Sequence, residues 1–102
     1  MKVRFSERAL AYLRSEQTYL GRFDRRAARA TAQQIRKAAQ LISDYPQAGQ
    51  AIAMAPGVRR YVSAPYHIDY IERDGTIIVI AIRHGRQSPR GVSESDDQSF
   101  ED

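Results

Sequence analysis

The chain has 102 residues, enough for one folded domain around a single hydrophobic core. Apolar residues make up 42% and charged residues 27%, a composition that excludes a largely disordered chain. The sequence contains no cysteine, which excludes a disulfide framework and a thiolate metal site. No stretch approaches the roughly 18 apolar residues of a membrane span, and the first ten residues hold no apolar signal region. We therefore expect a cytoplasmic protein that does not enter a membrane.

Positive charge is concentrated in the first ninety residues. The net charge is +4, but the last twelve residues hold five acids and no Lys or Arg, so residues 1–90 carry +9. Of the 16 cationic residues, 14 are arginine. A body this basic favours an acidic partner, either a nucleic acid or an acidic protein segment. We predict one domain over residues 1–90, followed by an acidic, disordered tail over residues 91–102.

The first half of the chain predicts one strand and two helices. Lys2–Phe5 alternates polar and apolar residues, as in a short strand. Ser6 is a suitable N-cap for a first helix that Gly21 can close, and Asp24 is a suitable N-cap for a longer second helix. Pro46 ends the second helix because it lacks an N–H and disfavours helical backbone at the preceding residue. The short connection between the helices predicts an antiparallel helical hairpin.

The second half predicts a loop and three strands. The loop covers residues 46–57, and the strands cover Val58–Val62, Tyr66–Arg73 and Thr76–Arg83. Asp74-Gly75, between the last two strands, is the residue pair that a two-residue type I′ hairpin turn prefers. We therefore expect an α+β fold, in which an N-terminal strand and the helical hairpin pack on a curved antiparallel sheet of three to four strands.

Strict alternation along the last strand predicts which side chains share a face. It puts His84 with Ile78, Ile80 and Ile82, and Arg83 with Ile77 and Val79 on the other face. On the preceding strand, Tyr66, Ile68 and Tyr70 share one face and His67, Asp69 and Ile71 the other.

Arg, His and Tyr side chains gathered at one sheet edge could cleave RNA without a metal ion. The candidate catalytic residues are His84 as acid or base, Arg83 or Arg59 as the phosphate ligand, and Tyr66. The alternative interpretation is that His84 is a hydrogen-bonded residue at a strand end and the arginines are surface residues. His67 and Asp69 are too few ligands for a metal site, and the sequence has no glycine-rich phosphate loop. We expect no metal and no cofactor.

Several strings of the sequence, in this order, resemble a known family. They are VRFSERALAYL, the Ala/Arg-rich second helix with its ending DYPQAGQ, GVRRYVSAPYHIDYIERDG and IVIAIRHGRQSP. Between about Val3 and Pro89 the chain resembles the ParE/RelE superfamily of toxins from type II toxin–antitoxin modules, the ParE branch in particular. The resemblance implies a RelE/ParE-like fold and a cognate, ParD-like or similar antitoxin. A disordered segment of that antitoxin would fold along the groove and sheet edge of the toxin, in a hetero-oligomeric complex.

The resemblance leaves two mechanisms open, RelE-like cleavage of mRNA and ParE-like inhibition of DNA gyrase. Particular residues distinguish between them. RelE-like members cut mRNA on the ribosome, usually with an Arg at the position of His67 and a Tyr near the C-terminus. This chain departs from that pattern, because it has YHIDY, Gly85 after His84, and lysines only at positions 2 and 37. These departures argue against RNA cleavage. The ending RHGRQ is instead similar to that of ParE relatives, which inhibit DNA gyrase.

We therefore expect a ParE-like gyrase inhibitor with no catalytic residue. Its expected partner-binding residues are Arg59, Arg60, Arg83, His84 and Arg86. The alternatives are a RelE-like ribosome-dependent mRNA endonuclease and a toxin-fold protein whose activity is weak or lost.

Overall fold

The computed structural model describes residues 1–85, and residues 86–102 lie outside it. Arg86 and the predicted acidic tail are therefore outside the described residues. The elements follow in the order β1 (Lys2–Phe5), α1 (Glu7–Gly21), α2 (Arg25–Asp44), β2 (Gln50–Ala51), β3 (Arg59–Ser63), β4 (Tyr66–Arg73) and β5 (Thr76–His84). Neither helix in residues 1–85 has the length and hydropathy that crossing a membrane requires.

Both helices begin at the predicted caps. The Ser6 hydroxyl accepts a hydrogen bond from the Ala9 N–H at 3.1 Å and donates one to the Ile80 carbonyl at 3.1 Å, so the same side chain caps α1 and attaches it to β5. The Asp24 carboxylate accepts from the Arg26 N–H at 2.9 Å at the start of α2. The Asp74-Gly75 turn is also confirmed, since both residues have positive φ, 53° and 76°.

The predicted α+β fold is confirmed, with β2–β5 forming an antiparallel sheet of four strands, and the N-terminal strand β1 extends it to a mixed sheet of five. Its order is β1-β5-β4-β3-β2, and β1 pairs with β5 in parallel. The first and last strands can be parallel neighbours because the helical hairpin and the other strands form the long connection that such a pair needs. The strand that was not predicted is β2, which lies inside the predicted loop. Its residues Gln50 and Ala51 pair with Arg60 and Arg59 of β3.

A β-bulge in the β4–β5 pair changes which residues of β5 share a face. Asp69 pairs with Ala81, but its neighbour Tyr70 pairs with Val79, so Ile80 is an extra residue on β5. A one-residue insertion moves every later side chain to the opposite face of the sheet. The bulge therefore separates β5 into two segments whose alternation is out of step.

The predicted faces of β5 are wrong beyond the bulge for this reason. Ile77 and Val79 are buried before it and Ile82 after it, which shows that all three face the core. His84 lies on the same face as Ile82, the side covered by the helices. Arg83 lies on the other side.

Both helices cover the same face of the sheet. Residues of α1, α2, β4 and β5 form one core, made of Ala9, Ile35, Ala38, Ile42, Tyr66, Ile68, Tyr70, Ile77, Val79 and Ile82. The opposite face carries the alternate side chains of β4 and β5, which are only half-buried. We call this second surface the open face.

Tyr70 on β4 holds the loop after α2 against the sheet. It is 1% exposed, and its hydroxyl donates to the Pro46 carbonyl at 2.7 Å and accepts from the Gly49 N–H at 2.9 Å. A Cβ at Gly49 would lie 2.8 Å from the Tyr70 ring, so the backbone approaches this closely only with glycine. Within residues 1–85, this buried hydroxyl is thus the hydrogen-bond partner of both the Pro46 carbonyl and the Gly49 N–H.

Replacing Tyr70 with Phe should destabilise the fold because both backbone groups lose this partner. We expect the free energy of unfolding to fall by about 1–3 kcal/mol in Tyr70→Phe, measured by urea denaturation. Tyr61→Phe is the matched control, since within residues 1–85 its half-buried hydroxyl has no hydrogen-bond partner, and it should change stability by less than about 0.5 kcal/mol. Equal losses in the two variants would contradict this role of Tyr70.

Candidate functional site

Four polar side chains lie together on the open face, where β3, β4 and β5 run side by side. Arg60 on β3 is opposite Asp69 on β4, and His67 on β4 is opposite Arg83 on β5. We call these four residues the open-face cluster. The alternation of each strand puts them on the side that neither helix covers.

Arg60 and Asp69 form a partly buried ion pair within this cluster. The Arg60 Nε donates to Asp69 Oδ1 at 2.7 Å, and Arg60 Nη2 donates to Asp69 Oδ2 at 3.1 Å. This bidentate hydrogen bonding raises the pKa of Arg60 above its usual value. Asp69 thereby balances one of the two positive charges of the cluster.

His67 is uncharged at neutral pH. Burial lowers its pKa below the ordinary value of 6.5, and the nearby cations of Arg60 and Arg83 lower it further. Within the described part of the chain, its buried Nδ1 has no hydrogen-bond partner. His67 is therefore a neutral imidazole in a cationic environment.

Arg83 is the cluster's cation without a carboxylate partner. Burial, together with the positive charge of Arg60, lowers its pKa, and its buried Nε has no hydrogen-bond partner in residues 1–85. A buried donor without a partner costs about 1–3 kcal/mol, a cost that often marks a functional position. Arg83 is thus the residue of this cluster that an acidic partner would stabilise most.

Tyr66 and His84 lie on the other side of the sheet, beneath the helices. Tyr66 is 4% exposed, and its hydroxyl donates to Glu16 Oε2 at 2.7 Å and lies 3.4 Å from Thr31 Oγ1. The His84 ring contacts the Tyr66 ring edge-on, with 5.8 Å between centroids. Burial raises the pKa of the Tyr66 phenol above its ordinary value. Tyr66 and His84 therefore lie in the interface between the helices and the sheet.

Arg59 is separate from both groups. It lies opposite Tyr70, and its Nη1 donates to the Gly49 carbonyl at 2.7 Å. The candidate catalytic residues Arg59, Tyr66, Arg83 and His84 are therefore divided between the two faces. Of the expected partner-binding residues, the structure brings together Arg60 and Arg83 on the open face, and it puts Arg59 and His84 on the helix side.

Sequence reasoning missed the Arg60–Asp69 pair and the position of His67 in the same cluster. Counting outward from the Ala64-Pro65 turn would have found the pair, since Ser63 pairs with Tyr66 and each further step moves one residue along both strands. Among the described residues, no three His, Asp or Glu side chains come close enough together to hold a metal ion.

Comparison with known proteins identifies the family. Residues 3–89 match the family described as "ParE toxin of type II toxin-antitoxin system, parDE". Toxin RelE2 of Caulobacter vibrioides is 36% identical over 77 residues, which are 76% of this chain and 86% of that protein. A chain of the solved structure "Chromosomal ParDE TA system from P. aeruginosa" has a similar fold, with a TM-score of 0.71 at 19% identity over 82% of this chain and 95% of that one.

The fold and these matches define a small α+β toxin. The chain belongs to the ParE toxin family, within the ParE/RelE toxins of type II toxin–antitoxin systems. A toxin of this type has a cognate antitoxin as its partner.

Stability should depend on pH through His67. The unfolded residue titrates near 6.5 and the folded one at a lower pH, so His67 contributes its full stabilisation above the unfolded pKa. As the pH falls from about 7 through the folded pKa, the unfolded state binds a proton first and this stabilisation is lost. We expect the urea midpoint to fall more between about pH 7 and pH 5 in the wild type than in His67→Asn.

Tyr61→Phe is the control for this measurement, because it changes neither histidine and should keep the wild-type slope. Parallel curves for the wild type and His67→Asn would show that His67 titrates alike in the folded and unfolded states.

Proposed function

We propose that this toxin is a ParE-like poison of DNA gyrase, which acts in the cytoplasm by binding its target and is neutralised by its cognate antitoxin. The observation that supports binding over catalysis is the division of the candidate catalytic residues between the two faces of the sheet. The family match and the sequence RHGRQ at residues 83–87 support gyrase as the target.

Cleavage of RNA without a metal ion needs an acid, a base and a cation within hydrogen-bond reach of one phosphate. Arg83 is on the open face, whereas His84 and Tyr66 are on the helix side. Tyr66 is already bonded to Glu16, and Arg59 to a backbone carbonyl. A single phosphate would have to reach both sides of a sheet to meet these groups.

Position 85 also argues against a catalytic tyrosine beside His67. A Cβ at Gly85 would lie 3.0 Å from His67 Nε2 and 3.1 Å from the Pro65 carbonyl oxygen. A larger residue there would have to displace the imidazole or the backbone. With His67 in this place, the crowding at Gly85 disfavours the Tyr that the ribonuclease pattern would put after His84.

The alternative function is a ribosome-dependent mRNA endonuclease, and one contact favours it. His67 and Arg83 are paired neighbours on the open face, so a neutral imidazole that can accept a proton lies beside an unpaired guanidinium. Under this alternative the nuclease centre would be the open-face cluster, with His67 in place of the expected His84.

The antitoxin is expected to bind near the end of β5. There Arg83 lacks an acidic partner within the described residues, and β1 accompanies β5 only as far as Val79. An acidic segment could therefore approach Arg83 from the open face. Arg86, which continues this strand end in the sequence, is included in the proposed contact.

Purified toxin should inhibit supercoiling of relaxed plasmid by purified gyrase, and this inhibition should not need either histidine. We expect His67→Ala and His84→Ala to inhibit within about threefold of the wild type, since losing a general acid or base would cost about 10²–10⁴-fold. Toxin preincubated with its antitoxin is the control and should leave supercoiling intact. Unimpaired supercoiling at a large excess of free toxin would refute gyrase as the target.

A further inference from the structure

A second cationic surface lies on α2, away from the sheet. The exposed side of this helix carries five cations and two glutamines, which we call the α2 stripe: Arg25, Arg26, Arg29, Gln33, Arg36, Lys37 and Gln40. At 3.6 residues per turn these seven positions fall within an arc of about 120° and extend over about 22 Å. The side chains that α2 buries lie on the opposite side of the helix: Thr31, Ile35, Ala38, Ala39 and Ile42.

The charges of the α2 stripe are not compensated within the described residues. From Arg25 to Ser43 the helix contains no acidic residue, and the one ion pair formed within residues 1–85 joins Arg60 to Asp69. Arg25 and Arg26 occupy the first turn, where the helix dipole already favours negative charge, and Arg25 and Arg29 are like charges four residues apart. A helix that keeps such unfavourable placements on its exposed side indicates a surface selected for binding.

The chemistry of the α2 stripe fits phosphates better than a protein segment. Arg, Lys and Gln are side chains that contact nucleic-acid phosphates, whereas the hot spots of protein interfaces combine Arg with buried Trp and Tyr anchors. The stripe offers no large apolar side chain, since the exposed Phe23 and Leu41 lie before and after it.

The shape of the surface favours duplex DNA over duplex RNA. The exposed side of a helix is a convex ridge, and the major groove of B-form DNA, about 12 Å wide, admits an α-helix. The major groove of A-form RNA is too deep and narrow to do so. The tip of the helical hairpin, residues 17–30, also projects beyond the sheet. The residues on either side of this tip, Glu16 and Thr31, both contact Tyr66 at the start of β4.

We propose that the α2 stripe binds the phosphate backbone of duplex DNA without sequence preference. The inference rests on the proposed function for the identity of that DNA, which would be the duplex held by gyrase. The stripe is on the opposite side of α2 from the sheet, so it can contact DNA while the end of β5 contacts a protein.

The test measures fluorescence anisotropy of two unrelated labelled DNA duplexes of about 24 base pairs, titrated with full-length toxin at salt from about 50 to 200 mM. Similar affinity is expected for both sequences, with a log–log salt slope of about −4.5 if all five cations contact phosphates. In Arg25→Gln/Arg29→Gln/Arg36→Gln the slope should become shallower by about 2.7 and the affinity at about 100 mM salt should fall at least about 30-fold.

The matched control, Arg4→Gln/Arg14→Gln/Arg73→Gln, removes three exposed positive charges outside α2 and should change the slope by less than about 1. Glutamine keeps nearly the helix propensity of arginine, and thermal melts check that both variants are folded. Gyrase is absent from the titration, so failure of the supercoiling assay and failure of DNA binding are separate results.

Four outcomes would overturn the proposal. The first is the absence of duplex binding at the lowest salt, and the second is an equal loss of DNA affinity in the stripe and control variants. The third is a preference of about tenfold or more for an A-form RNA duplex of the same sequence. The fourth is unchanged DNA binding by a stripe variant that no longer binds the antitoxin. The second would show a general effect of net charge. The third would assign the stripe to RNA and the fourth to an acidic protein segment.

Discussion

The hydroxyls of two buried tyrosines on β4 hold the helices and the following loop on one face of the sheet. The Tyr66 hydroxyl forms a hydrogen bond with Glu16 of α1 and lies close to Thr31 of α2. The Tyr70 hydroxyl forms hydrogen bonds with the Pro46 carbonyl and the Gly49 N–H. Each such hydrogen bond contributes about 1 kcal/mol, and together they attach the helices and the loop to the side of the sheet on which the apolar core lies. Because both helices lie on that side, the open face and the outer side of α2 remain available to partners.

These two surfaces differ in how their charge is managed. On the open face, Asp69 balances Arg60, and burial keeps His67 neutral, so Arg83 is the remaining cation of the cluster. On α2, five cations form no ion pair among the described residues. The first surface suits one specific contact with an acidic group, and the second suits a repeating array of negative charge. A toxin that meets both a protein target and that target's DNA would use both kinds of surface.

Local signals predicted the elements well, because caps and turns depend on single residues. Ser6, Asp24, Pro46 and the Asp74-Gly75 turn all have the predicted roles. The parallel pairing of β1 with β5 joins residues more than seventy positions apart, and such a pairing leaves no local pattern. The bulge at Ile80 also has no signal in an apolar run, where every residue fits either face. That single residue determines the face on which His84 and Arg83 lie, so the division of the candidate site could not be read from the sequence.

The proposed function requires that the toxin acts by binding, without an assembled nuclease centre. Primer extension on mRNA in a purified translation system, with stalled ribosomes and full-length toxin, tests this most directly. If the toxin acts by binding, the mRNA stays intact at toxin concentrations that would be enough to inhibit gyrase. Cuts positioned at the ribosomal A site that disappear in His67→Ala but remain in Tyr66→Phe would contradict it, because they would show a catalytic centre on the open face.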